Sequence, residues 1–375
     1  MPRNPAPPVF DARRPFNELP DLPPPTERVE TMSLLKKIIA ARSSLAELKG
    51  ACQSLPNPDL LLNAVVLQES KDSSEIENIV TTQDELFRAA AAAQTGAVVP
   101  PATKEVLRYR EAIYLGWDEL QKTGLVVTNT LIRIMQRLRD TEAGIRKQPG
   151  TVIAKAGSRE VVYTPPEGED LIRKKLAALE RFMYEDDHFD PLVRMALAHY
   201  QFEAIHPFGD GNGRTGRIMN VLYLMQQELL THPVLYLSGY LLRRRQEYYQ
   251  LLRDVTEKQA WEPWLEYMIE AVRLTAQATL RLVRDINDLL EEYVETAKTG
   301  MSTGYSRDLI RLIFHQPYCK IQMVADAGIA KRVTASKYLS ELEQLGILHS
   351  VQVRRDKYFI NHRLLSLLAE ANQQM

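Results

Sequence analysis

The stretch AIHPFGDGNGRTGR, residues 204–217, gathers side chains that could carry out chemistry on a phosphate group. Gly209, Gly211 and Gly213 lack Cβ atoms and allow successive backbone N–H groups to turn toward one point. Such a turn binds anions. The other polar side chains of the motif are His206, Asp210, Asn212, Arg214 and Arg217. A base, a carboxylate and two guanidinium groups beside an anion-binding turn predict phosphoryl-type transfer, which depends on positioning and charge neutralisation.

The charged side chains of this stretch have separate expected roles. Asp210 would share a Mg²⁺ ion with substrate phosphates, because Mg²⁺ prefers one or two carboxylates together with phosphate oxygens. Arg214 and Arg217 are three residues apart, so on a helix they share a face and can bind the outer phosphates. The imidazole of His206 can accept the proton of an attacking Ser, Thr or Tyr hydroxyl.

The backbone and the neighbouring residues complete the expected site. The glycine N–H groups and the N-terminus of the following helix would hold the α- and β-phosphates. We expect Asn212 to orient the α-phosphate and Phe208 to be buried as the anchor of the loop. His199 precedes His206 by about two helical turns and shares its face. A zinc site is conceivable there, but no third ligand lies at metal spacing, so we expect His199 to be structural.

The chain as a whole has an ordinary globular composition. Its 375 residues are 45% apolar and carry 47 basic and 48 acidic side chains, which predicts two or three domains and excludes a nucleic-acid coat or polyacidic tail. Cys52 and Cys319 are far apart, which argues for a reducing compartment and against a disulfide or cysteine-based zinc framework. No signal peptide and no apolar run of about 18 residues is present. We therefore expect a cytoplasmic location.

Helical periodicity dominates from Val29 to about Ala297, with one interruption. Nine of the 21 prolines fall in residues 1–25, which predicts an extended arm that lies on a neighbour or is disordered. Between residues 144 and 166 two β-branched runs flank AGSRE, the pattern of a hairpin. A later helix should have Asp190 as its N-cap and Pro191 at its first position. It should end near His206, because the residue before proline leaves helical geometry.

The C-terminal residues form a separate, basic segment. KTGMSTG is typical of a linker, and residues 301–375 carry ten Lys or Arg against six Asp or Glu. Two short helices, a longer helix and a two-stranded wing predict a winged helix-turn-helix. The cations placed on its recognition helix and wing are Lys331, Arg332, Lys337, Arg354, Arg355 and Lys357. They suit phosphate contacts on DNA; the alternative is a domain for dimerisation or target docking.

The glycine-rich stretch resembles the signature of the Fic family, His-x-Phe-x-Asp/Glu-Gly-Asn-Gly-Arg-x-x-Arg, at all eight fixed positions from His206 to Arg217. The resemblance implies a mainly α fold: a helical catalytic domain with a β-hairpin flap, a helical N-terminal part with a proline-rich arm, and a C-terminal winged helix. It implies domains at 1–100, 101–297 and 301–375. It further implies transfer of AMP from ATP, with Mg²⁺, to a hydroxyl of a target protein. The motif itself does not select adenine, so transfer of UMP or another phosphate-containing group is the main rival.

Further residues are implicated by the resemblance alone. In the family, the flap pairs strand against strand with a target protein, and the matching residues here are Val152, Ile153, Ala154 and Lys155. Tyr248 matches a tyrosine that contacts the nucleotide in relatives, although at helical spacing a tyrosine is more often a core residue. Relatives often form dimers, so a homodimer is expected.

An inhibitory motif precedes the catalytic part. Ser73, Glu77 and Asn78 are similar to the family pattern Ser/Thr-x-x-x-Glu-Gly/Asn. The resemblance implies that Glu77 pairs with Arg217 and blocks the γ-phosphate position, as in the class II, SoFic-like members, which keep basal activity low. Removal of AMP through the same glutamate is an alternative activity. From another functional class, the alternative is a DNA-binding regulator whose Fic domain senses nucleotide without turnover.

Overall fold

A computed structural model of the chain confirms a mainly helical fold with two small antiparallel sheets. It describes residues 10–29, 31–53, 58–92, 99–155, 157–185, 188–302, 304–315, 317–353 and 356–373. Residues 1–9 of the expected arm and Arg354 and Arg355 of the expected wing lie outside the described residues. None of the described helices combines the length and the hydropathy of a membrane span.

The helices account for most of the described chain. In order they are α1 (Met32–Gln53), α2 (Pro58–Ile76), α3 (Gln83–Ala92), α4 (Pro101–Thr123), α5 (Thr128–Arg139), α6 (Glu169–Glu185), α7 (Pro191–Ile205), α8 (Asn212–Gln226), α9 (Leu237–Arg243), α10 (Arg245–Lys258), α11 (Trp261–Gly300), α12 (Arg307–His315), α13 (Ile321–Asp326), α14 (Arg332–Gln344) and α15 (His362–Gln373). The strands are β1 (Ile153–Ala154), β2 (Val161–Tyr163), β3 (Tyr318–Cys319), β4 (His349–Val353) and β5 (Asp356–Ile360). A single 3₁₀ turn, Thr26–Arg28, precedes α1.

The chain divides into two compact units. The first contains the described residues within Met1–Ser43, Glu111–Leu230 and Leu241–Arg273, and the second those within Ser44–Arg110, Thr231–Tyr240 and Leu274–Met375. The three consecutive domains expected at 1–100, 101–297 and 301–375 are a different division of the chain and stay a prediction.

The core of the first unit is built on α7, which packs against α6 and α8. Almost every residue of α7 is buried, because a helix that is apolar around its whole circumference must be enclosed by other elements. Asp190 caps its start by accepting a hydrogen bond from Leu192 N at 2.8 Å. Pro191 occupies its first position. The helix begins and ends where the sequence predicted.

The described part of the proline-rich arm packs on other residues of the first unit. Phe16 N donates to Thr164 O at 3.0 Å, and Thr164 Oγ1 donates to Ala12 O at 2.7 Å. Gln201 Nε2 donates to Pro20 O at 2.9 Å. Backbone groups of the arm thus find partners without secondary structure, which is how an extended proline-rich segment becomes ordered.

The C-terminal part of the second unit is a winged helix, as predicted. Strands β3, β5 and β4 form an antiparallel sheet in that order, and α13 packs against α14. The two-residue strand β3 and the last helix α15 were not predicted. The expected linker KTGMSTG is partly wrong, because α11 continues without a break to Gly300.

Candidate active site

The glycine-rich loop connects α7 to α8 through two left-handed residues. His206 ends α7 with φ 49°, and its backbone N–H donates to Phe202 O at 3.0 Å. Gly211 has φ 84° and immediately precedes α8. A glycine is needed at that position because a side chain is strained at such an angle. The loop between two helices is therefore confirmed, and it directs the first N–H groups of α8 into the turn.

Asn212 closes the loop onto itself. Its Oδ1 accepts from Phe208 N at 2.9 Å, and its Nδ2 donates to Phe208 O at 2.8 Å. Phe208 is 1% exposed, which confirms its expected burial. Because both polar atoms of the Asn212 side chain bond to the backbone, this residue fixes the shape of the turn. Its contact with the α-phosphate stays a prediction.

Two arginines lie near the carboxylate predicted to bind the metal. Asp210 is 61% exposed, and its Oδ2 lies 3.0 Å from Arg139 Nη2 and its Oδ1 3.7 Å from Arg214 Nη2. Arg214 and Arg217, on α8, are each only 1% exposed. Buried guanidinium groups strengthen a positive potential because the surrounding protein screens it weakly. The loop is therefore suited to an anionic ligand.

Arg139 was not recognised from the sequence. It is the last residue of α5, where a basic side chain is ordinarily explained by the negative end of the helix dipole. Its aliphatic part lies close to the loop, since a Cβ atom added to Gly211 would be 3.4 Å from Arg139 Cγ. No short-range pattern links Arg139 to Asp210, so only the packed structure could bring them together.

His199 has the structural role expected from the sequence. It is fully buried, its Nε2 lies 2.8 Å from Tyr248 Oη, and its ring stacks on Trp264 with centroids 6.0 Å apart. Burial lowers the pKa of His199 to about 3, and the positive charge of Arg217 acts in the same direction. The imidazole is therefore neutral at physiological pH.

Tyr248 lies in the core of the first unit. It is 1% exposed, and its hydroxyl contacts His199. The contact with nucleotide that the resemblance implied therefore stays a prediction, and what the structure shows for Tyr248 is a packing role beside the site.

We predict that His199 makes the stability of the chain pH-dependent. Its pKa is about 3 in the folded state and about 6.5 in an unfolded chain, so the unfolded state binds the proton first as the pH falls. Between pH 6 and pH 4 the native chain should lose roughly 1.4 kcal/mol of unfolding free energy per pH unit relative to His199→Gln. Urea unfolding followed by circular dichroism at several pH values measures this difference. Exposed His188→Gln is the control, and parallel curves for native and His199→Gln would contradict the prediction.

The predicted hairpin is formed by β1 and β2 in the first unit. Ile153 pairs with Tyr163 and Ala154 with Val161. Tyr163 Oη donates to Ala204 O at 2.7 Å, which attaches the hairpin to the last turn of α7. The four residues expected to dock a target, Val152, Ile153, Ala154 and Lys155, are half-buried or exposed. Target docking itself stays a prediction.

The predicted inhibitory motif ends α2 in the second unit. Asn78 has φ 63°, Asn78 N donates to Glu75 O and Ile79 N donates to Ser74 O, each at 3.0 Å. These two bonds define a Schellman ending, whose left-handed position favours Gly or Asn. The geometry explains why Asn or Gly follows the glutamate in this motif. Ser73 is fully buried.

Glu77 occupies the last position before this left-handed residue. The negative end of a helix dipole repels a carboxylate, so Glu77 does not stabilise the end of α2. Helix formation therefore does not account for a glutamate at this position.

Three family models match the chain. They describe the Fic/DOC family N-terminal region at residues 35–118, the Fic/DOC family at 126–224, and the C-terminal domain of SoFic-like protein adenylyltransferases at 289–364. Together they cover the inhibitory motif, the glycine-rich loop and most of the winged helix.

Individual relatives carry the same family names. Protein adenylyltransferase Fic of Nematostella vectensis is 26% identical over 257 residues, which are 66% of this chain and 56% of that protein. The chain thus spans little more than half the length of this relative. A protein of Aquifex aeolicus (strain VF5) named as a probable protein adenylyltransferase is 23% identical over 292 residues, 71% of this chain and 84% of that one.

Solved structures show the same fold. A Fic family protein from Desulfovibrio desulfuricans G20 has a TM-score of 0.55 and 20% identity, and the match covers 88% of this chain and 97% of that one. A variant of Fic-1 from C. elegans has a TM-score of 0.52 and 19% identity, covering 68% and 76%. These structures show the fold. The three family models, which together match more than half of the chain, establish that it belongs to the Fic/DOC family.

Proposed function

We propose that the chain is a protein adenylyltransferase, which transfers AMP from ATP to a Ser, Thr or Tyr hydroxyl of a target protein. The observation that carries the proposal is the loop itself: His206 ends α7, and the buried Arg214 and Arg217 lie on the helix that begins at Asn212. The names of the matching relatives support the same activity.

The residues of the loop have complementary tasks in this reaction. The target hydroxyl oxygen attacks the α-phosphorus of ATP, the bond to the oxygen that bridges to the β-phosphate breaks, and diphosphate leaves. His206 accepts the hydroxyl proton as the new P–O bond forms. Arg214 and Arg217 offset the charge of the departing diphosphate. The first N–H groups of α8 and the glycine turn hold the α- and β-phosphates.

The donor set at Asp210 fits a Mg²⁺ ion bound together with the substrate. The carboxylate is exposed, so an incoming ion can reach it. Among the described residues no group of three His, Cys, Asp or Glu side chains could hold a metal alone. Mg²⁺ is commonly bound by one or two carboxylates plus phosphate oxygens. When bound, the ion would neutralise phosphate charge.

The hairpin is the proposed docking element for the target. Ala154 and Lys155 are exposed and Val152 is 50% exposed. An extended target segment that adds to such a strand through backbone hydrogen bonds would be held beside the end of α7. Tyr248 is retained as a proposed nucleotide contact on the resemblance alone.

We further propose that Glu77 inhibits the enzyme by pairing with Arg217, so that ATP binds poorly aligned for attack. The position of Glu77 at the unfavourable end of a helix dipole supports this role. Self-modification and removal of AMP from the target are secondary activities that the same site could perform.

The proposed location is a reducing compartment such as the cytoplasm, and the proposed assembly is a homodimer. Both Cys52 and Cys319 are free and buried, and burial raises their thiol pKa values to about 11 and about 12. Thiols of this kind are unreactive, which is consistent with a chain that does not depend on disulfides. The homodimer is based on the resemblance, and sedimentation analysis tests it.

Intact mass measured after incubation with ATP and Mg²⁺ tests the proposed activity. We expect the Glu77→Gly chain to gain the mass of one or more AMP groups. Cell extract incubated with ATP labelled on its α-phosphate provides target proteins if the chain does not modify itself. The activity is contradicted when neither the chain nor the extract is labelled, and labelling from UTP in preference to ATP would favour the UMP-transfer alternative.

A DNA-binding function is the second candidate, and the surface of α14 favours it. Val333 is 86% exposed near the start of this helix, next to exposed Arg332 and Thr334. The acidic residues Glu341 and Glu343 are confined to its C-terminal half. In helix-turn-helix proteins the N-terminal residues of the recognition helix contact base edges, and an apolar side chain there can contact a thymine methyl group.

Fluorescence anisotropy with a labelled DNA duplex of random sequence tests this second candidate. Binding should weaken with rising salt and with the paired change Lys331→Ala and Arg332→Ala, because each cation would release a counterion from the DNA. Absence of binding at low salt, or equal binding by the double variant, would favour dimerisation or target docking. A chain that binds DNA but never transfers AMP, even as Glu77→Gly, would be the nucleotide-sensing regulator.

A further inference from the structure

We propose that Arg146 is a positioning residue that sets the conformation of the loop at His206. Its guanidinium group is bound to three backbone carbonyls: Nε donates to His206 O at 2.8 Å, and Nη2 donates to Ile205 O at 3.4 Å and, in a short bond, to Pro166 O. Its backbone N–H donates to Pro207 O at 2.9 Å. Arg146 thus holds consecutive carbonyls from Ile205 to Pro207.

These carbonyls are located where the backbone requires external partners. The last carbonyl groups of a helix have no N–H partner within that helix, and α7 ends at Ile205. The residue that follows, His206, has φ 49° and ψ 59°, a left-handed conformation that costs energy for any side chain with a Cβ atom. Such a conformation persists only when surrounding contacts fix it. The bonds from Arg146 are contacts of that kind.

The orientation of the peptide plane also orients the imidazole. Arg146 Nε binds the carbonyl of His206, and its backbone N–H binds the next carbonyl. Together they restrain ψ of His206 and the plane that follows. Because the Cα–Cβ direction of His206 is fixed by these dihedral angles, loss of the bonds would move the base relative to the phosphate-binding turn. The helix end is held from a second side by Tyr163, whose hydroxyl donates to Ala204 O.

Arg146 is well suited to hold several carbonyls at once. It is 8% exposed, and the planar guanidinium presents several N–H donors in a fixed geometry, which lysine cannot reproduce. Its positive charge is also favourable at the negative end of α7. Because the guanidinium group is engaged by backbone carbonyls, its proposed effect on catalysis passes through His206.

The test compares Arg146→Lys with a matched variant in the Glu77→Gly background. Arg194→Lys is the control, because Arg194 is also 8% exposed and lies near the opposite end of α7, where its Nη2 is 3.5 Å from Gln227 Oε1. Both changes should lower thermal stability. The kinetic measurement rests on the proposed function. In this measurement Arg146→Lys should lower kcat on the order of 100-fold and leave KM for ATP nearly unchanged. Arg194→Lys should retain kcat.

A second measurement is independent of AMP transfer. The rate at which diethylpyrocarbonate modifies His206, measured by peptide mass spectrometry below the melting temperature, reports the environment of the imidazole. We expect this rate to change in Arg146→Lys and not in Arg194→Lys. If the Glu77→Gly parent transfers no AMP, the proposed function fails, and the modification rates still decide the positioning role. Equal rates for the two variants, or equal kcat values in an active parent, would overturn the inference.

Discussion

Replacing His206 with alanine in the Glu77→Gly chain will lower kcat for AMP transfer by about 10²- to 10⁴-fold, the usual contribution of a general base. The change removes the proposed acceptor of the hydroxyl proton and leaves Arg214 and Arg217 in place. Binding of ATP should therefore persist, and the loss should fall on kcat and not on KM for ATP. Initial rates of transfer from labelled ATP, with calorimetric ATP binding on the same samples, measure both quantities.

The control for this result is His188→Ala. His188 is an exposed histidine of the same unit, so its loss should alter neither rate nor ATP binding. A His206→Ala chain that retains more than a small fraction of the parental kcat would mean that another group, or water, accepts the proton. The role of His206 would then be wrong even if the chain transfers AMP.

Replacing Glu77 with glycine will raise the rate of AMP transfer, by roughly 5- to 150-fold if the brake has the strength of an ordinary regulatory coupling. The reason under the proposal is competition: a carboxylate that pairs with Arg217 would occupy the position that the γ-phosphate needs. Glu77→Gln, which removes the charge and keeps the size of the side chain, should give most of the same increase. Rates at saturating ATP, measured for the native chain and both variants, provide the comparison.

Glu75→Gln separates release of the brake from general loosening of α2. Glu75 lies two residues earlier, and its carboxylate pairs with Lys71 at 2.9 Å within the helix. Its loss should leave the transfer rate unchanged. Equal activation by Glu75→Gln and Glu77→Gln would show that the helix end, and not one carboxylate, controls activity.

Local sequence rules predicted the parts of the site that depend on neighbouring residues. Pro207 excludes its predecessor from helical geometry, and α7 ends at Ile205 as a result. Gly211 was expected because the turn into α8 needs a residue without Cβ, and its φ of 84° agrees. The hairpin followed from two β-branched runs around polar residues. All these features are encoded within a few positions of the chain.

The elements that were missed have weak local signals. Strand β3 contains only two residues, Tyr318 and Cys319, and exists because it pairs with β5. The extension of α11 to Gly300 was missed because a Lys-Thr-Gly sequence is typical of a loop. In the structure Gly300 packs closely on the Leu345 side chain, whose Cδ2 would lie 2.4 Å from an added Cβ atom.

The sequence by itself determined the identity and the local geometry of the reacting groups: the imidazole, the carboxylate and the two guanidinium groups share one loop and one helix turn. Only the tertiary structure decided which distant residues support them. Arg139 is 71 residues from Asp210 and Arg146 is 60 residues from His206, and no periodic pattern relates residues so far apart. Their contacts exist because α5 and the segment before the hairpin pack against the ends of α7 and α8, where helix-end carbonyl groups and the Asp210 carboxylate accept these arginines as partners.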